Sequence, residues 1–221
     1  MSERKYTIAI LGGTGKEGPG LASRWASVGY PIIIGSRKRE KAELVADELN
    51  TQLGTDLIRG MDNASAARSA EMCVLTVVQS AHQEALVSLK EALKGKILVD
   101  ATARVDFRSP KPPPPPSAAR YAQNLLGENV RVVSAFQNVP SHALKINLTQ
   151  PMNTDVLVCA DDLDAAEQVI RLAEDGGMRA YYAGDLDNAV VVEGLTSILI
   201  SINKHYSTKT ASIVITGFKK P

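Results

Sequence analysis

The sequence predicts an α/β fold, in which a doubly wound parallel sheet is followed by a smaller C-terminal α/β unit that ends in a long apolar helix. Two observations support this fold class. Short apolar runs alternate with helical segments along most of the chain, and this alternation is typical of a parallel sheet with helices on both faces. A glycine-rich turn, 12–18, separates the first apolar run from the first predicted helix, as a tight strand-to-helix connection requires.

Each predicted strand is a short run rich in β-branched and other apolar residues. The predicted strands, in order, are 6–11, 31–36, 57–60, 72–78, 96–102, 130–136, 155–160 and 179–183. Helices are predicted between them from apolar periodicity and from capping residues such as Asn63 and Asp162. These helices are 18–28, 39–53, 63–70, 81–93, 118–126, a segment that begins near 162, and 186–206.

The last predicted helix, 186–206, is apolar on more than one face. Its apolar pattern consists of Val190, Val191, Leu195, Ile198, Leu199 and Ile202. Such a helix does not face solvent, so we expect it to pack against another domain or subunit, and we expect a homodimer. Residues 1–140 form a predicted cofactor-binding domain, and residues 141–221 a predicted smaller substrate and dimerisation domain.

Composition excludes several classes of function. The 221 residues carry 25 Lys and Arg against 24 Asp and Glu, so no overall positive field favours nucleic acid or an anionic membrane surface. No apolar run approaches the roughly 20 residues of a membrane helix, and residues 1–6 show no signal-peptide pattern, which predicts a cytoplasmic protein. Cys73 and Cys159 lie in apolar runs without zinc-ligand spacing, so we expect buried reduced thiols and no metal site.

The glycine-rich turn contains the pattern Gly13-x-Gly15-x-x-Gly18 between a strand and a helix. In that context the pattern predicts a dinucleotide-binding domain of the Rossmann type. Gly13 is expected to allow the tight turn, Gly15 to let a phosphate approach the backbone, and Gly18 to let the helix pack closely. The other turn residues expected to contact the dinucleotide are Thr14, Lys16 and Glu17. The alternative is a glycine-rich turn without a ligand.

The end of the second strand indicates which dinucleotide binds. NAD-binding chains usually place an acidic residue there, to accept hydrogen bonds from the ribose 2′-hydroxyl. This chain has Ser36 and Arg37, followed by Lys38, Arg39 and Lys41. A guanidinium pairs well with a 2′-phosphate, and basic residues in a first helical turn oppose the helix dipole. The pattern therefore favours NADP, the alternative being a solvated basic start to the helix.

With these segments in place, the chain resembles the coenzyme F420-dependent NADP oxidoreductase family. The matching segments are 10–15, 35–37 with Lys41, 74–77, 133–135, 155–159, 192–196 and 202–203. They cover nearly the whole chain, in order. The resemblance implies hydride transfer between NADPH and a deazaflavin, coenzyme F420, which would be the small-molecule redox substrate in a cleft against the nicotinamide.

The resemblance also implies roles for individual residues. Those implied to hold the NADP phosphates are Thr14, Ser36, Arg37 and Lys41. Those implied to lie nearer the two reacting rings are Thr76, Val77, Ala135, Gln137 and Thr196. Gln137 stands where archaeal members have a histidine, and the proline-rich loop 104–117 is peculiar to this chain. Because this loop follows a strand that should border the cleft, we expect the second substrate's pocket to differ.

Hydride transfer between flat rings needs positioning more than acid–base chemistry, and the sequence shows no convincing acid–base set. Gln137 is expected to orient a polar edge of a ring without transferring a proton, or alternatively to bond nearby backbone. His142 follows Pro140 near the expected cleft and is the other candidate catalytic residue. His82 is expected to begin a helix with its side chain in solvent, although it could face the cofactor.

Two other functions remain open from the sequence. One is an NADPH-dependent reductase of a flavin, carbonyl or imine, for which His142 would be the proton donor. The other is an NADP-binding redox sensor or partner module, since proline-rich segments such as 112–116 can dock on partner proteins.

Overall fold

One mixed sheet organises the chain in the computed structural model, which describes residues 5–217. Its strands are β1 (Ile8–Leu11), β2 (Ile32–Ser36), β3 (Ile58–Asp62), β4 (Met72–Leu75), β5 (Ile97–Asp100), β6 (Arg131–Ser134), β7 (Asp155–Ala160) and β8 (Arg179–Tyr182). Their order across the sheet is β3-β2-β1-β4-β5-β6-β7-β8. The first six are parallel to one another, which is the doubly wound arrangement that the sequence predicts.

Helices connect the strands on both faces. They are α1 (Gly18–Ser27), α2 (Arg39–Leu53), α3 (Asn63–Ser69), α4 (Gln79–Leu93), α5 (Ala118–Leu126), α6 (Leu163–Asp175) and α7 (Ala189–His205). Every predicted helix and strand is present, and the bounds differ by a few residues because the sequence does not show where pairing stops. None of the described helices is long and apolar enough to cross a membrane.

The core lies on both faces of the sheet. Along β1, Ile8 and Ile10 pack into one apolar cluster and Ala9 and Leu11 into the other, all without exposed surface. This alternation follows from the two-residue period of a strand. On the first face Trp25 of α1 meets Phe136 edge to face, with ring centroids 5.7 Å apart.

The C-terminal strands extend the same sheet. β7 pairs antiparallel with β6, and β8 then pairs parallel with β7. Asp162 caps α6 by accepting a hydrogen bond from the backbone N–H of Ala165, as predicted. The division of the chain after residue 140 stays a prediction.

The short helix α3 corrects one expectation. Its cap is Asp62, whose carboxylate accepts a hydrogen bond from the Ser65 backbone N–H at 2.8 Å; the prediction that Asn63 caps this helix is wrong. Asn63 Oδ1 instead accepts the backbone N–H of Gly12 at 3.0 Å. The side chain therefore ties the start of α3 to the turn after β1.

The proline-rich loop 104–117 packs on α7. Buried Glu193 accepts hydrogen bonds from the backbone and the guanidinium of Arg104 and from the backbone N–H of Ala118. Ser197 Oγ donates to the Lys111 carbonyl at 2.6 Å, and Lys204 Nζ lies within hydrogen-bond distance of two loop carbonyls. Part of the α7 surface that the sequence assigns to another domain or subunit is thus covered by this loop.

Candidate functional site

The turn after β1 depends on close backbone approaches. Gly12 has a φ of 72°, and a Cβ on Gly13 would lie 2.6 Å from the carbonyl oxygen of Ile10. A Cβ on Gly18 would lie 2.4 Å from the carbonyl oxygen of Gly13. These glycines are therefore required by the protein itself, because any side chain there would displace the backbone of the turn or the start of α1.

Gly15 differs from these glycines. A Cβ there would come no closer than 3.7 Å to the described residues other than its two chain neighbours, so the space in front of this residue is open to a ligand. Half-buried Thr14 lies beside it. The N-terminus of α1 follows without a side-chain cap. Pro19 has no N–H, and the Gly20 and Leu21 N–H groups donate to the Glu17 carbonyl, so the Gly18 N–H is the donor of this turn that is available to an anion such as a pyrophosphate.

The end of β2 presents basic side chains beside this turn. Ser36 is buried, and its Oγ accepts the Lys38 backbone N–H at 3.3 Å. Arg37 and Lys41 are exposed and form no ion pair within residues 5–217. Arg39, by contrast, pairs with Glu43 at 2.7 Å. Two of the predicted phosphate-binding cations are thus free to meet an anion.

A cavity of about 1120 Å³ opens at the carboxyl ends of the parallel strands. The segments that line it follow β1, β4, β5 and β6, and α7 and residues 208–211 complete it. It brings together eight of the predicted site residues, namely Gly15, Lys16, Glu17, Thr76, Val77, Gln137, His142 and Thr196. The predicted residues outside its lining are Gly13, Thr14, Gly18, Ser36, Arg37, Lys41 and Ala135. Ala135 is fully buried.

Gln137 is held firmly at the edge of this cavity. Its side-chain Nε2 donates to the backbone carbonyl of Asp100 at 2.7 Å and to Ser134 Oγ at 2.8 Å. Its backbone carbonyl accepts a hydrogen bond from Thr196 Oγ1 at 2.8 Å. The preceding residue, Phe136, has a φ of 74°, a conformation that is rare for an aromatic residue. Gln137 therefore bonds nearby backbone, as the alternative interpretation of the sequence predicts. It also lines the cavity, as its expected role in orienting a ring requires.

Glu17 is the acidic residue of the glycine-rich turn 12–18, called the fingerprint turn below. Burial raises the pKa of its carboxyl to about 8, because the charged form loses its hydration there. The basic residues that line the same cavity are Lys16, His142 and Lys209. At neutral pH the carboxyl is therefore largely neutral and does not repel an anionic ligand.

His82 corrects a second expectation. The residue is only 5% exposed, and its Nε2 lies 2.6 Å from Oδ2 of fully buried Asp100; the prediction that the side chain lies in solvent is wrong. Burial alone would lower the pKa of His82, but the hydrogen bond and the charge of Asp100 outweigh burial and raise it. The ring belongs to a buried polar pair and does not line the cavity.

The two cysteines are buried and free, as predicted. Burial raises the pKa of both thiols to about 12, so they are unreactive at neutral pH.

Residues 7–104 match the family described as NADP oxidoreductase, coenzyme F420-dependent. The F420-dependent NADP reductase of Methanothermobacter marburgensis is 41% identical over 95% of this chain and 98% of its own. The enzyme of the same name from Methanocaldococcus jannaschii is 42% identical over 96% of this chain and 99% of its own.

The chain belongs to the F420-dependent NADP reductase family. Membership confirms the resemblance seen in the sequence. A crystal structure described as a putative F420-dependent NADP reductase, from Arthrobacter sp. FB24, superposes with a TM-score of 0.79 at 26% identity, over 95% of this chain and 99% of that one.

Sequence reasoning missed three residues of this reductase that shape the site. Asn138 lines the cavity beside Gln137, and Phe107 lines it from the proline-rich loop. Asn63 accepts a hydrogen bond from the Gly12 backbone N–H in the fingerprint turn. The adjacent amides Gln137-Asn138 after a predicted strand were a signal for the first. Nothing local distinguishes Phe107 or Asn63, because their roles depend on contacts with distant parts of the chain.

Proposed function

We propose that the chain transfers a hydride between NADPH and coenzyme F420, a deazaflavin. The observation that carries the proposal is the cavity of about 1120 Å³ that joins the fingerprint turn to the residues after β6 and to α7. Dinucleotides bind beyond the carboxyl ends of parallel strands in such sheets, and the volume suffices for two flat rings. The names of the family members with 37–42% identity support the same activity.

The phosphate end of NADPH is proposed to lie at the turn after β1 and the end of β2. The pyrophosphate would take the backbone N–H groups of residues 16–18, with Thr14 as a further donor. Arg37 and Lys41, which carry unpaired charges, would hold the 2′-phosphate beside Ser36. The open space at Gly15 supports this placement, since the protein leaves there the room that a phosphate needs.

The ring end is proposed to lie deeper in the cavity. Thr76 and Val77, after β4, and Thr196, on α7, line that part together with Gln137. Ala135 is fully buried, so it would support the site through its backbone. His142 is exposed at the cavity and is proposed to contact the second substrate.

The chemistry asks the protein mainly for positioning. Bound NADPH supplies the hydride, and the donor and acceptor carbons must lie about 3–3.5 Å apart with water excluded. Gln137 is neutral and held by three hydrogen bonds, so it would orient a ring without exchanging a proton.

A homodimer that uses α7 is proposed as the assembly. Three apolar residues of this helix and its C-cap residue remain exposed at spacings of seven, four and four, which places them on one face. They are Val191, Ile198, Ile202 and Tyr206, at 68%, 54%, 38% and 72% exposure. The stripe supports a contact with a second copy through residues 141–221, the proposed substrate and dimerisation domain.

The activity can be tested with purified protein, NADPH and one acceptor at a time. The acceptors are a deazaflavin, FMN, a cyclic imine and a blank without acceptor, with NADPH absorbance as the readout. We expect rapid oxidation of NADPH only with the deazaflavin. Oxidation with FMN or the imine but not with the deazaflavin would refute the proposal in favour of another reductase activity, and no turnover with any acceptor would favour a sensor.

A further inference from the structure

Several residues that line the cavity carry a buried oxygen without a hydrogen-bond partner. In the part of the chain that the structure describes, five buried side-chain polar atoms lack a hydrogen-bond partner. Three belong to residues that line the cavity: Oε1 of Glu17, Oε1 of Gln137 and Oδ1 of Asn138. Buried polar atoms are nearly always paired in native proteins, so such a concentration indicates that a ligand supplies the missing partners.

The orientation of the Gln137 amide is determined by its neighbour. Its outer nitrogen lies 2.7 Å from the backbone carbonyl of Asp100. A carbonyl can only accept a hydrogen bond, so rotating the amide by half a turn would place two oxygens in contact. Oε1 must therefore be the end that is left without a partner, and it can only accept.

Asn138 repeats this arrangement. Its Nδ2 donates to the backbone carbonyl of Asp155 at 2.6 Å, which leaves Oδ1 as the free end. The two residues are 7% and 1% exposed, and Thr196 Oγ1 donates to the backbone carbonyl of Gln137, which lies between the two side chains in the chain. Each amide is thus held with its oxygen as the unpaired end, Gln137 by β5 and Asn138 by β7. Glu17 is different, because a carboxyl exchanges donor and acceptor character with its proton.

We propose that Oε1 of Gln137 and Oδ1 of Asn138 form an acceptor pair that receives amide N–H groups from the edge of a redox ring in the cavity. This inference rests on the proposed function. Amide N–H groups occur on the nicotinamide carboxamide of NADP and on the pyrimidinedione ring of a deazaflavin. An analogue without that N–H would leave a buried acceptor unpaired and would be rejected.

Ligand analogues test the pair in the wild-type protein. One arm compares binding of NADP with that of its 3-acetylpyridine analogue, in which a methyl group replaces the amide nitrogen. The other arm compares binding of 8-hydroxy-5-deazariboflavin with that of its N3-methyl derivative. We expect a loss of affinity of about tenfold or more for one analogue, and the affected arm identifies the ring. Losses below about twofold in both arms would overturn the proposal.

Variants separate hydrogen bonding from steric exclusion. In Gln137→Leu or Asn138→Leu the discrimination between parent and analogue should disappear; discrimination that persists in both variants would overturn the assignment to these residues. Asn50→Leu is the matched control, because Asn50 also donates to a backbone carbonyl but its oxygen is paired and lies away from the cavity. The control should retain wild-type discrimination.

Thermal unfolding shows whether each variant folds. If the two Leu variants do not fold, the proposal is tested by the wild-type protein alone, through its binding of the near-isosteric acetylpyridine analogue and of the N3-methyl deazaflavin. Binding measurements do not depend on turnover. Failure of the wild type to reduce a deazaflavin would therefore refute the proposed function alone, whereas equal binding of parents and analogues would refute the acceptor pair alone.

Discussion

At the scale of single residues, Arg37 carries the proposed preference for NADPH. Its guanidinium is exposed and without an ion pair among the described residues, so it can pair with a 2′-phosphate at little cost. We expect Arg37→Ala to weaken NADPH binding by about 1.5–3 kcal/mol and to leave NADH binding nearly unchanged, as measured by fluorescence titration. The control is Arg39→Ala, since Arg39 already pairs with Glu43. Equal losses for both dinucleotides would contradict the assignment.

Glu17 gives the protein a specific pH dependence. Burial raises the pKa of its carboxyl from 4.5 to about 8, so between these values the folded protein binds more protons than the unfolded chain. Stability from this group therefore falls as the pH rises through that window. We expect the stability of Glu17→Gln to match that of the wild type near the lower end and to exceed it by up to about 4 kcal/mol above the upper end.

Urea unfolding across the pH range measures this difference. Glu84→Gln, which changes an exposed carboxyl on α4, should show no such divergence from the wild type. A Glu17→Gln variant whose stability parallels the wild type at every pH would show that the Glu17 carboxyl is charged and hydrated in the folded protein.

At the scale of secondary-structure elements, the contact between α7 and the proline-rich loop depends on Glu193. Its side chain is 1% exposed and accepts hydrogen bonds from Arg104 and from the first turn of α5. Removing one partner of a buried ion pair leaves an uncompensated charge. We expect Glu193→Ala to lower the free energy of unfolding by about 3–5 kcal/mol and to speed proteolysis within 104–117.

Denaturant unfolding and limited proteolysis measure the two effects of that change. Glu91→Ala is the control, because Glu91 pairs with Lys94 on an exposed helix surface, where such pairs contribute roughly 0–1 kcal/mol. A Glu193→Ala protein as stable as this control would show that the loop does not depend on the ion pair.

At the scale of the whole molecule, the exposed stripe on α7 determines the expected assembly. Ile198 lies at the middle of that stripe and is 54% exposed. A charge placed there would be buried unpaired in a contact between two copies, so we expect Ile198→Glu to shift the protein from dimer to monomer in sedimentation at micromolar concentration. Leu44→Glu, at an apolar position on α2 with 64% exposure, should leave the dimer intact. A monomeric wild type would exclude the proposed contact.

The sequence by itself determined the elements, the order in which they alternate and the family. These depend on local information: apolar runs mark the strands, Asp162 marks the start of α6, and the spacing of glycines marks the strand-to-helix turn. Residues 39–53 and 155–160 are placed to the residue, because in both cases the change from periodic to turn residues is abrupt.

Only the tertiary structure decided how the site is built, because the deciding contacts join residues far apart in the chain. Asn63 bonds Gly12 across 51 positions instead of capping its own helix, and Gln137 reaches the Asp100 carbonyl across 37. Glu193 holds a loop 89 residues earlier, and this loop covers part of a helix that local hydropathy assigns to a contact with another domain or subunit. A side chain's partners follow from packing in three dimensions, so pattern and spacing place Gln137 at the cavity but cannot tell which end of its amide remains free.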